Sequence, residues 1–344
     1  MRPITIIGGG LAGLTLGIAL RREGVPVTLH EAGQYPRHRV CGEFLSGRGV
    51  EILREMGFYE KLVAAGAREA RTLKFFTGED ATKVMGMPTP ALCLSRYRLD
   101  ALLAEAFVRL GGYLRTGSRY VDGYGEGVIR ATGRQVQTEV DGWRWIGIKA
   151  HALDLTLEAD LEMHLGPDAY VGLCGVEENR VNVCGLFRTR ETMADLKETW
   201  QSRLGGDDKS TLTEKLSSIT FDKESFCVVA GLPIRPFQKG DSAVLSVGDA
   251  VAMIPPVTGN GMSLAIESAW LAVRDILNYC HGDHDWRDTQ GLVRQGYIRD
   301  YGKRLRWANW LQTGMFHPFT RKILIQGVPV VPALFRFSFG VTRG

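Results

Sequence analysis

The sequence has few of the features that mark membrane, secreted or metal-binding proteins. No stretch approaches the roughly 20 consecutive apolar residues that a membrane-spanning helix needs. The amino end, Met1–Pro3, runs straight into the apolar Ile4–Ile7 and lacks the parts of a signal peptide. The six cysteines form no C-x-x-C pair and have no histidine at zinc-site spacing. These absences predict a cytoplasmic protein with reduced cysteines and no metal site.

Acidic residues are scarce near the carboxyl end. Residues 287–344 contain ten lysines and arginines but only Asp288 and Asp300, a local charge of +8. The whole chain of 344 residues carries +4, so the remainder is, by difference, about −4. The basic character therefore belongs to the carboxyl-terminal segment alone.

Glycine is the residue in excess, with 42 of 344 positions, against a usual share of about 7%. The first glycine cluster follows Ile4–Ile7, which has the composition of a buried strand. Gly8, Gly10 and Gly13 fit the pattern G-x-G-x-x-G, and residues 14–23 have a helical pattern. Bare backbone there lets a pyrophosphate approach a helix amino terminus, whose free N–H groups and dipole favour an anion. The context predicts dinucleotide binding, the alternative being a glycine-rich turn of another α/β protein.

The end of the second predicted strand, residues 25–31, narrows the choice of dinucleotide. Glu31 lies 18 residues after Gly13, where an acid accepts hydrogen bonds from ribose hydroxyls. A carboxylate there disfavours a 2′-phosphate, so FAD or NAD fits better than NADP.

Three later segments extend the pattern. Residues 36–46 read P-R-x-x-x-C-G-x-x-L-S, and residues 96–100 read R-x-x-L-D at the start of an amphipathic helix. Residues 248–250 are G-D-A, and residues 256–261 follow as P-x-x-G-x-G. With these motifs the sequence resembles the FAD-dependent superfamily of geranylgeranyl reductases, para-hydroxybenzoate hydroxylase-type monooxygenases and flavin-dependent halogenases. The segment at 36–46 is most similar to the geranylgeranyl reductase branch.

The resemblance implies one non-covalent FAD and a set of residues that would bind it. These are Gly8, Gly10, Ala12, Gly13, Glu31, Cys41, Gly42, Phe44, Arg96, Val121, Asp249, Gly261 and Met262. Within the set, Val121 would approach the adenine by its backbone, on the strand after the amphipathic helix. Asp249 would bind the ribityl–pyrophosphate region, and Gly261 would place helix amides near flavin N1. Read without the resemblance, Asp249 is a helix cap and Arg96 a solvated residue.

Cys41, Gly42 and Phe44 would line the edge of the flavin ring. Without the family pattern, Cys41 reads as a small buried apolar residue.

Several positions depart from the aromatic hydroxylases and halogenases. Hydroxylases of this superfamily usually have histidine where this chain has Ala252, and Asp141-Gly142 does not match their D-G segment. Trp143 and Trp145 resemble part of a halogenase motif, but the proline of that motif is missing from this chain. Residues 128–134 instead resemble the strand and A-T-G turn of two-dinucleotide-domain flavoproteins. With no second G-x-G-x-x-G, electrons come from NAD(P)H bound transiently or from a reduced partner protein.

The expected fold class is α/β with two lobes: a Rossmann-like FAD-binding domain, an inserted antiparallel-sheet substrate domain and a carboxyl-terminal helical segment. We assign 1–66, 96–140 and 226–286 to the first, 67–95 and 141–225 to the second, and 287–344 to the third. Strands are predicted over 153–164, 169–176, 180–187 and 226–232, and helices over 191–204 and 211–219.

The leading functional hypothesis is a monooxygenase that hydroxylates or epoxidises a hydrophobic, aromatic, polyketide-like or lipid-like molecule through a flavin C4a-hydroperoxide. The alternative is a carbon–carbon double-bond reductase of geranylgeranyl reductase type, with halogenase and non-enzymatic flavoprotein as minor alternatives. No catalytic base is identified. Lys149, His151 and His164 are the polar residues expected to reach a substrate, and their alternative is a solvated strand position.

The basic segment contains apolar residues at helical spacing, namely Tyr297, Tyr301, Leu305, Ala308, Leu311 and Met315. Such a helix could contact an anionic membrane or an acidic carrier protein, which would make the protein membrane-peripheral. The alternative is that its apolar face packs on the FAD-binding domain. Nucleic acid is not an expected partner, because no binding motif accompanies the charge.

Overall fold

The computed structural model describes residues 1–78, 80–134, 142–191, 193–205, 210–232, 244–251 and 259–316, together with Gly340. Its strands are β1 (Ile4–Ile7), β2 (Val27–His30), β3 (Phe44–Leu45), β4 (Arg68–Thr77), β5 (Asp80–Ala81), β6 (Met85–Cys93), β7 (Tyr113–Arg115), β8 (Val128–Arg130), β9 (Arg144–Leu153), β10 (Leu161–Leu165), β11 (Ala169–Gly175), β12 (Arg180–Thr189) and β13 (Phe221–Ala230). Its helices are α1 (Leu11–Arg22), α2 (Arg48–Glu55), α3 (Tyr59–Ala64), α4 (Arg96–Arg109), α5 (Met193–Gly205), α6 (Thr211–Leu216), α7 (Gly261–His281) and α8 (Trp286–Phe316).

The smaller sheet is parallel and has the strand order β7-β2-β1-β8. Its central strand β1 is apolar because both of its faces are covered, as is usual in parallel sheets. Helices α1, α4 and α7 pack together beside it around a shared core that includes Leu14, Phe107 and Ile266. This arrangement places the glycine-rich turn after β1 at the amino end of α1, as the motif predicts.

The larger sheet is mixed and has the order β13-β9-β12-β11-β10-β4-β6-β3, with β5 paired to β4. Most of its pairs are antiparallel, and β10 runs parallel to β4. Successive side chains of a strand point to opposite faces. Ile146, Ile148 and Ala150 of β9 therefore lie in a core with residues of α5 and α6, while Lys149 and His151 point to the other face.

The two-lobed α/β expectation is confirmed, with corrections to individual strands. The single strand predicted over 153–164 is wrong: β9 ends at Leu153 and β10 begins at Leu161. Strand β13 begins at Phe221 and pairs with β9, so the larger sheet continues past the boundary that we placed at 225. It also includes β3, which lies within a segment assigned to the FAD-binding domain.

Helix α8 packs its apolar side on the rest of the molecule. Tyr297, Tyr301, Leu305 and Ala308 are buried in the core shared with α7. The packing alternative of the sequence analysis is therefore correct for these four residues, whereas the side chains of Leu311 and Met315 lie outside the description. No described helix is long and apolar enough to cross a membrane.

Candidate active site

The turn after β1 has the geometry of an anion-binding loop. Gly8 has a φ of +110°, and a Cβ there would lie 2.3 Å from the carbonyl oxygen of Ala131. A Cβ on Gly13 would lie 2.0 Å from the oxygen of Gly8, so both positions require glycine for backbone packing. Gly10 caps α1, and a Cβ there would meet nothing within 4 Å. The helix terminus beside Ala12 thus has open space in front of it, where an anion is favoured.

Glu31 follows β2 directly and is buried against this loop. Its carboxylate accepts hydrogen bonds from the N–H of Gly9 (2.9 Å) and of Gly33 (2.8 Å), and it pairs with Arg37 at 2.7 Å. Burial works to raise the pKa of Glu31, but the hydrogen bonds from Arg37 and Gly33 outweigh it, so the pKa lies below its ordinary value. The ionised group is an acceptor at the place where the ribose is expected.

Arg96 is fixed by an acid one helical turn away. Ser95 caps α4, and the guanidinium of Arg96 donates two hydrogen bonds of 2.7 Å to the buried carboxylate of Asp100. The R-x-x-L-D motif is therefore a bidentate ion pair at positions i and i+4. The alternative of Arg96 as a solvated residue is wrong, because its side chain is only 12% exposed.

Asp249 lies in a short turn, Gly248–Ala250, next to the glycine-rich loop. A Cβ on Gly248 would come within 2.8 Å of the Ala12 side chain. The Oδ1 atom of Asp249 is buried and has no hydrogen-bond partner within the described part of the chain. Burial raises the pKa of Asp249 to about 6, against the opposing charges of Arg134 and Arg96.

An orphaned carboxylate oxygen costs about 1–3 kcal/mol unless a ligand satisfies it. FAD fits this place, because it carries hydroxyl donors beside a pyrophosphate. The Nε atom of Arg134 is likewise buried without a hydrogen-bond partner among the residues that the structure covers.

The start of α7 is the next part of this region, because α7 contacts the turn that contains Asp249. Asn260 precedes the helix, and a Cβ on Gly261 would meet nothing within 4 Å. Met262 is buried, and the hydroxyl of Ser263 donates to the carbonyl of Ser46 at 2.6 Å. The proline-containing segment 252–258, with Ala252, lies outside the described residues. The flavin-binding roles of Gly261 and Met262 stay predictions.

The expected placement of Val121 is wrong in one respect. Strand β7 ends at Arg115, and Val121 follows it in an irregular segment with 86% of its surface exposed. The intervening Gly117, with a φ of +62°, favours a turn over a continued strand. The backbone approach of Val121 to an adenine stays untested, but it does not come from a strand.

The segment Cys41–Phe44 rests on the larger sheet. The amide of Asn182 donates to the carbonyl of Cys41 at 3.1 Å, and the thiol of Cys174 donates to that of Gly42 at 3.3 Å. Phe44 begins β3 and is buried, while a Cβ on Gly42 would meet open space. Burial raises the pKa of Cys41, with Arg96 opposing, so its thiol is neutral. One side of this segment is thus anchored and the Gly42 side is open.

Next to this segment lies a buried ionic cluster, which we define as His38, Glu43, Lys149 and His151. Oε1 of Glu43 accepts a hydrogen bond from the backbone N–H of Arg96 at 3.0 Å and lies 3.3 Å from Nζ of Lys149. Its Oε2 lies 2.7 Å from Nε2 of His151, and Nδ1 of His38 lies 3.2 Å from Nζ of Lys149. Glu43, Lys149 and His151 are almost completely buried. Hydrogen bonds thus connect half-buried His38 to the interior.

The charges in the cluster compensate one another. Burial works to raise the pKa of Glu43, but the hydrogen bond to His151 and the charge of Lys149 lower it below its ordinary value. Burial, and then the neighbouring Lys149 and His151, lower the pKa of His38 to about 4. His38 is therefore a neutral acceptor at neutral pH. His38, Glu43 and His151 have ligand atoms within 4.8 Å of one another, but Lys149 already supplies a cation among them and we assign no metal.

Sequence reasoning missed Glu43, His38, Asn182 and Asp100, although the acid inside C-G-x and the R-x-x-L-D spacing were visible signals. The alternative given for Lys149 and His151, a solvated strand position, is wrong, because both residues are buried. His164 is buried elsewhere: it stacks on Phe76 and bonds to Glu162. Glu162 also pairs with Lys215 of α6, so His164 is not part of this site.

Comparison with known proteins identifies the amino-terminal part. Residues 1–141 match the family described as FAD binding domain. Monooxygenase 1 of Arabidopsis thaliana is 30% identical over 120 residues, which are 34% of this chain and 30% of that protein. The 2-heptyl-3-hydroxy-4(1H)-quinolone synthase of Mycobacteroides abscessus is 25% identical over 77% of this chain and 78% of its own length. The first curated relatives are matched over only 15%, 24% and 30% of their lengths.

The fold of the whole chain is shared with solved flavoproteins. The structure of flavin-dependent brominase Bmp2 superposes with a TM-score of 0.76 and 16% identity, covering 99% of this chain and 94% of that one. The FAD-binding domain expected from the motifs is confirmed over residues 1–141, and the expected fold class is confirmed. The geranylgeranyl reductase branch is not specifically supported.

Proposed function

We propose that the protein is an FAD-dependent monooxygenase that oxygenates a mainly hydrophobic small molecule bearing a hydrogen-bond donor. The observation that carries the proposal is the position of the Cys41–Phe44 segment. It joins the glycine-rich, FAD-binding lobe to a buried sheet face through Glu43, Asn182 and Cys174. A cofactor edge at Gly42 would therefore lie at the junction of the two lobes.

The residues present fit FAD. The amino end of α1 beside Gly10 would hold the pyrophosphate, Glu31 the ribose, and the unpartnered Oδ1 of Asp249 the ribityl hydroxyls. Bound reduced flavin would supply two electrons for the reaction of oxygen, one atom entering the substrate and the other leaving as water. NAD(P)H or a reduced partner protein would provide those electrons.

The sheet face suggests the substrate class. Tyr170 and Cys184 lie near Cys41 on this face, and burial raises the pKa of both groups, which leaves them uncharged. Two atoms there are hydrogen-bond acceptors with no partner among the residues covered by the structure: Oδ1 of Asn182 and Nδ1 of His151. Asn182 and His151 are paired in register on β12 and β9. A hydroxyl or N–H group on an otherwise apolar substrate would satisfy them.

The ionic cluster would provide a base for the proton of that substrate hydroxyl or N–H group. Glu43 accepts a hydrogen bond from the Nε2–H group of His151, so Nδ1 is the ring atom that would take up a proton. A proton taken up at Nδ1 is stabilised by the Glu43 carboxylate, in the way that a carboxylate stabilises a histidine base generally. Before the proton reaches His151, the ammonium of Lys149 balances the negative charge of the Glu43 carboxylate.

A carbon–carbon double-bond reductase remains the second candidate, because the P-R-x-x-x-C-G segment resembles that branch. Its substrate would gain two hydrogen atoms and would need no oxygen. The likeness to a brominase is a likeness of fold, and halogenation would additionally require halide.

One experiment separates the three reactions. The FAD-loaded protein is reduced anaerobically and mixed with oxygen-18 gas, bromide and a panel of phenols, polyketide-like enols and polyprenyl compounds. The proposal expects a product that carries one labelled oxygen atom. A hydrogenated product that carries no labelled oxygen would establish the reductase, and a brominated product the halogenase; either would overturn the proposal.

A further inference from the structure

Helix α8 has an outer face that its packing leaves in solvent. Its inner side is buried, and the inner side includes Arg304, whose guanidinium pairs with the buried Glu267 at 2.6 Å. Arg304 therefore belongs to the core packing of α8 against α7. Three other cations of this helix, Arg299, Lys303 and Arg306, are exposed on the opposite side, while Arg287 and Arg294 are exposed near its start.

The exposed residues of that side form one stripe along the helix, which we call the α8 stripe: Leu292, Gln295, Arg299, Lys303, Arg306 and Trp310. Their spacing of three or four residues places them on a single helix face. At 1.5 Å per residue the stripe is about 27 Å long. Asp300, at its margin, pairs with Arg299 at 2.7 Å.

The order of residues along the stripe is informative. Three cations occupy its middle, and an apolar side chain stands near each end. Trp310 has 59% of its surface exposed and its ring stacks on Trp307 with centroids 5.1 Å apart. Leu292 is 38% exposed, and Ile298 beside the stripe is 55% exposed. Single exposed apolar residues are common, but apolar side chains that lie together mark contact surfaces, and the stacked indoles of Trp307 and Trp310 are such a pair.

We propose that the α8 stripe docks the protein on an anionic lipid surface, with the helix lying in the plane of the interface. Arg299, Lys303 and Arg306 would contact lipid phosphates, and the indole of Trp310 would enter the headgroup region. Charge complementarity alone would also suit an acidic protein. The exposed indole and aliphatic groups favour lipid, because tryptophan has its preferred environment at a membrane interface.

This surface is independent of the reaction, since none of its residues belongs to the candidate active site. It adds a location to the proposed function: a hydrophobic substrate could reach the protein from the lipid in which it dissolves. Failure of oxygenation would leave the lipid contact intact, and loss of lipid contact would leave single-turnover oxygenation of a dispersed substrate unchanged.

The test is flotation of the FAD-loaded full chain with two kinds of vesicle. One kind contains only phosphatidylcholine, and the other contains equal parts of phosphatidylcholine and phosphatidylglycerol. The stripe variant carries Arg299→Gln, Lys303→Gln and Arg306→Gln. A matched control carries Lys83→Gln, Arg109→Gln and Lys223→Gln, three exposed cations elsewhere, so the two variants have the same net charge. A third variant is Trp310→Ser.

At low salt we expect the protein and the control to bind the anionic vesicles about tenfold more strongly than the neutral ones, and added salt to weaken that binding. The stripe variant should lose about tenfold, and Trp310→Ser should bind more weakly at every salt concentration. Equal binding to both kinds of vesicle, or an equal loss in the control, would overturn the proposal. Binding to a purified acyl carrier protein without any binding to vesicles would also overturn it, in favour of an acidic protein partner.

Discussion

The two ends of the candidate active site are built in opposite ways. At the nucleotide end, Asp249 is buried with an oxygen that no described group satisfies. At the sheet end, the equally buried Glu43 has Lys149, His151 and the Arg96 N–H around it. Glu43 also holds a left-handed φ of +53°, which is unusual for a residue other than glycine and which its side-chain contacts maintain.

A buried charge persists in a protein only when something compensates it. Glu43 is compensated by the protein itself, so the sheet end is assembled in advance of any ligand. Asp249 is opposed by the charges of Arg134 and Arg96, but its Oδ1 atom has no hydrogen bond among the described residues, so it is suited to a group supplied from outside. The nucleotide end is therefore a site that is stabilised when its ligand binds, whereas the sheet end is stabilised within the folded protein itself. Substitutions at the two acids should consequently have opposite effects.

The largest effect is expected at Glu43. Glu43→Gln keeps the shape of the side chain but leaves the Lys149 ammonium buried without its carboxylate, so the free energy of unfolding should fall by about 3–5 kcal/mol. Urea unfolding measures it. The control Glu51→Gln removes an exposed carboxylate that pairs with Arg48 at the surface, and it should change stability by under about 1 kcal/mol.

A second variant separates lost charge from lost packing at this position. Adding Lys149→Met to Glu43→Gln removes the uncompensated cation and should restore part of the stability. A double variant as unstable as Glu43→Gln alone would show that charge compensation is not what holds the sheet end together.

At the nucleotide end we expect the opposite behaviour. Asp249→Ala removes an unsatisfied acceptor, so the FAD-free protein should be as stable as before or more stable. Its affinity for FAD should nevertheless fall by about tenfold to a hundredfold, as expected when hydrogen bonds to a charged group are lost. Flavin fluorescence titration and thermal unfolding of the FAD-free protein measure the two quantities. A variant that keeps its yellow colour through dialysis would argue against the placement of Asp249 at the cofactor.

The pH dependence of the FAD-free protein should show the same contrast. The pKa of Asp249 is raised from 3.8 to about 6 in the folded state, so folding binds a proton there. The stabilisation is complete below pH 3.8 and disappears as the pH rises to about 6, a loss of at most about 2–3 kcal/mol. Glu43 has a lowered pKa, so its contribution is instead lost as the pH falls.

Asp249→Asn isolates the first effect. The difference in unfolding free energy between this variant and the unchanged protein should grow in favour of the variant from pH 4 to pH 6. A difference that stays constant over this range would mean that the carboxyl of Asp249 does not titrate there.

How far each end could be predicted from sequence follows the same division. The glycine loop, Arg96 and Asp249 each belong to a recognisable local motif, so spacing along the chain was enough to name them as candidates, although the pairing of Arg96 with Asp100 was missed. Glu43 and His151 are 108 positions apart, and only the pairing of strands brings them together. No periodicity within either segment contains that information.

The error at Lys149 and His151 has a specific cause. Strand β9 alternates apolar and polar side chains, which is the pattern of a strand with one face in water. Its polar face is instead covered by the Cys41–Phe44 segment, which lies outside the strand pattern and carries the compensating acid. An alternating strand can therefore have two buried faces when the polar one is paired, and sequence alone does not distinguish the two cases.

The smallest effect is expected at Val121, where a motif-based placement met an irregular, exposed segment. Its side chain is 86% exposed, so Val121→Ser should change the free energy of unfolding by no more than about 0.5 kcal/mol. If its backbone contacts the adenine, the substitution leaves that contact intact, whereas Val121→Pro removes the N–H group. The serine variant should bind FAD within about twofold of the unchanged protein by the same fluorescence titration, because an exposed side chain contributes little to binding. Weaker binding by the proline variant alone, with unfolding unchanged, would establish the backbone contact, and equal binding by both variants would remove Val121 from the FAD site.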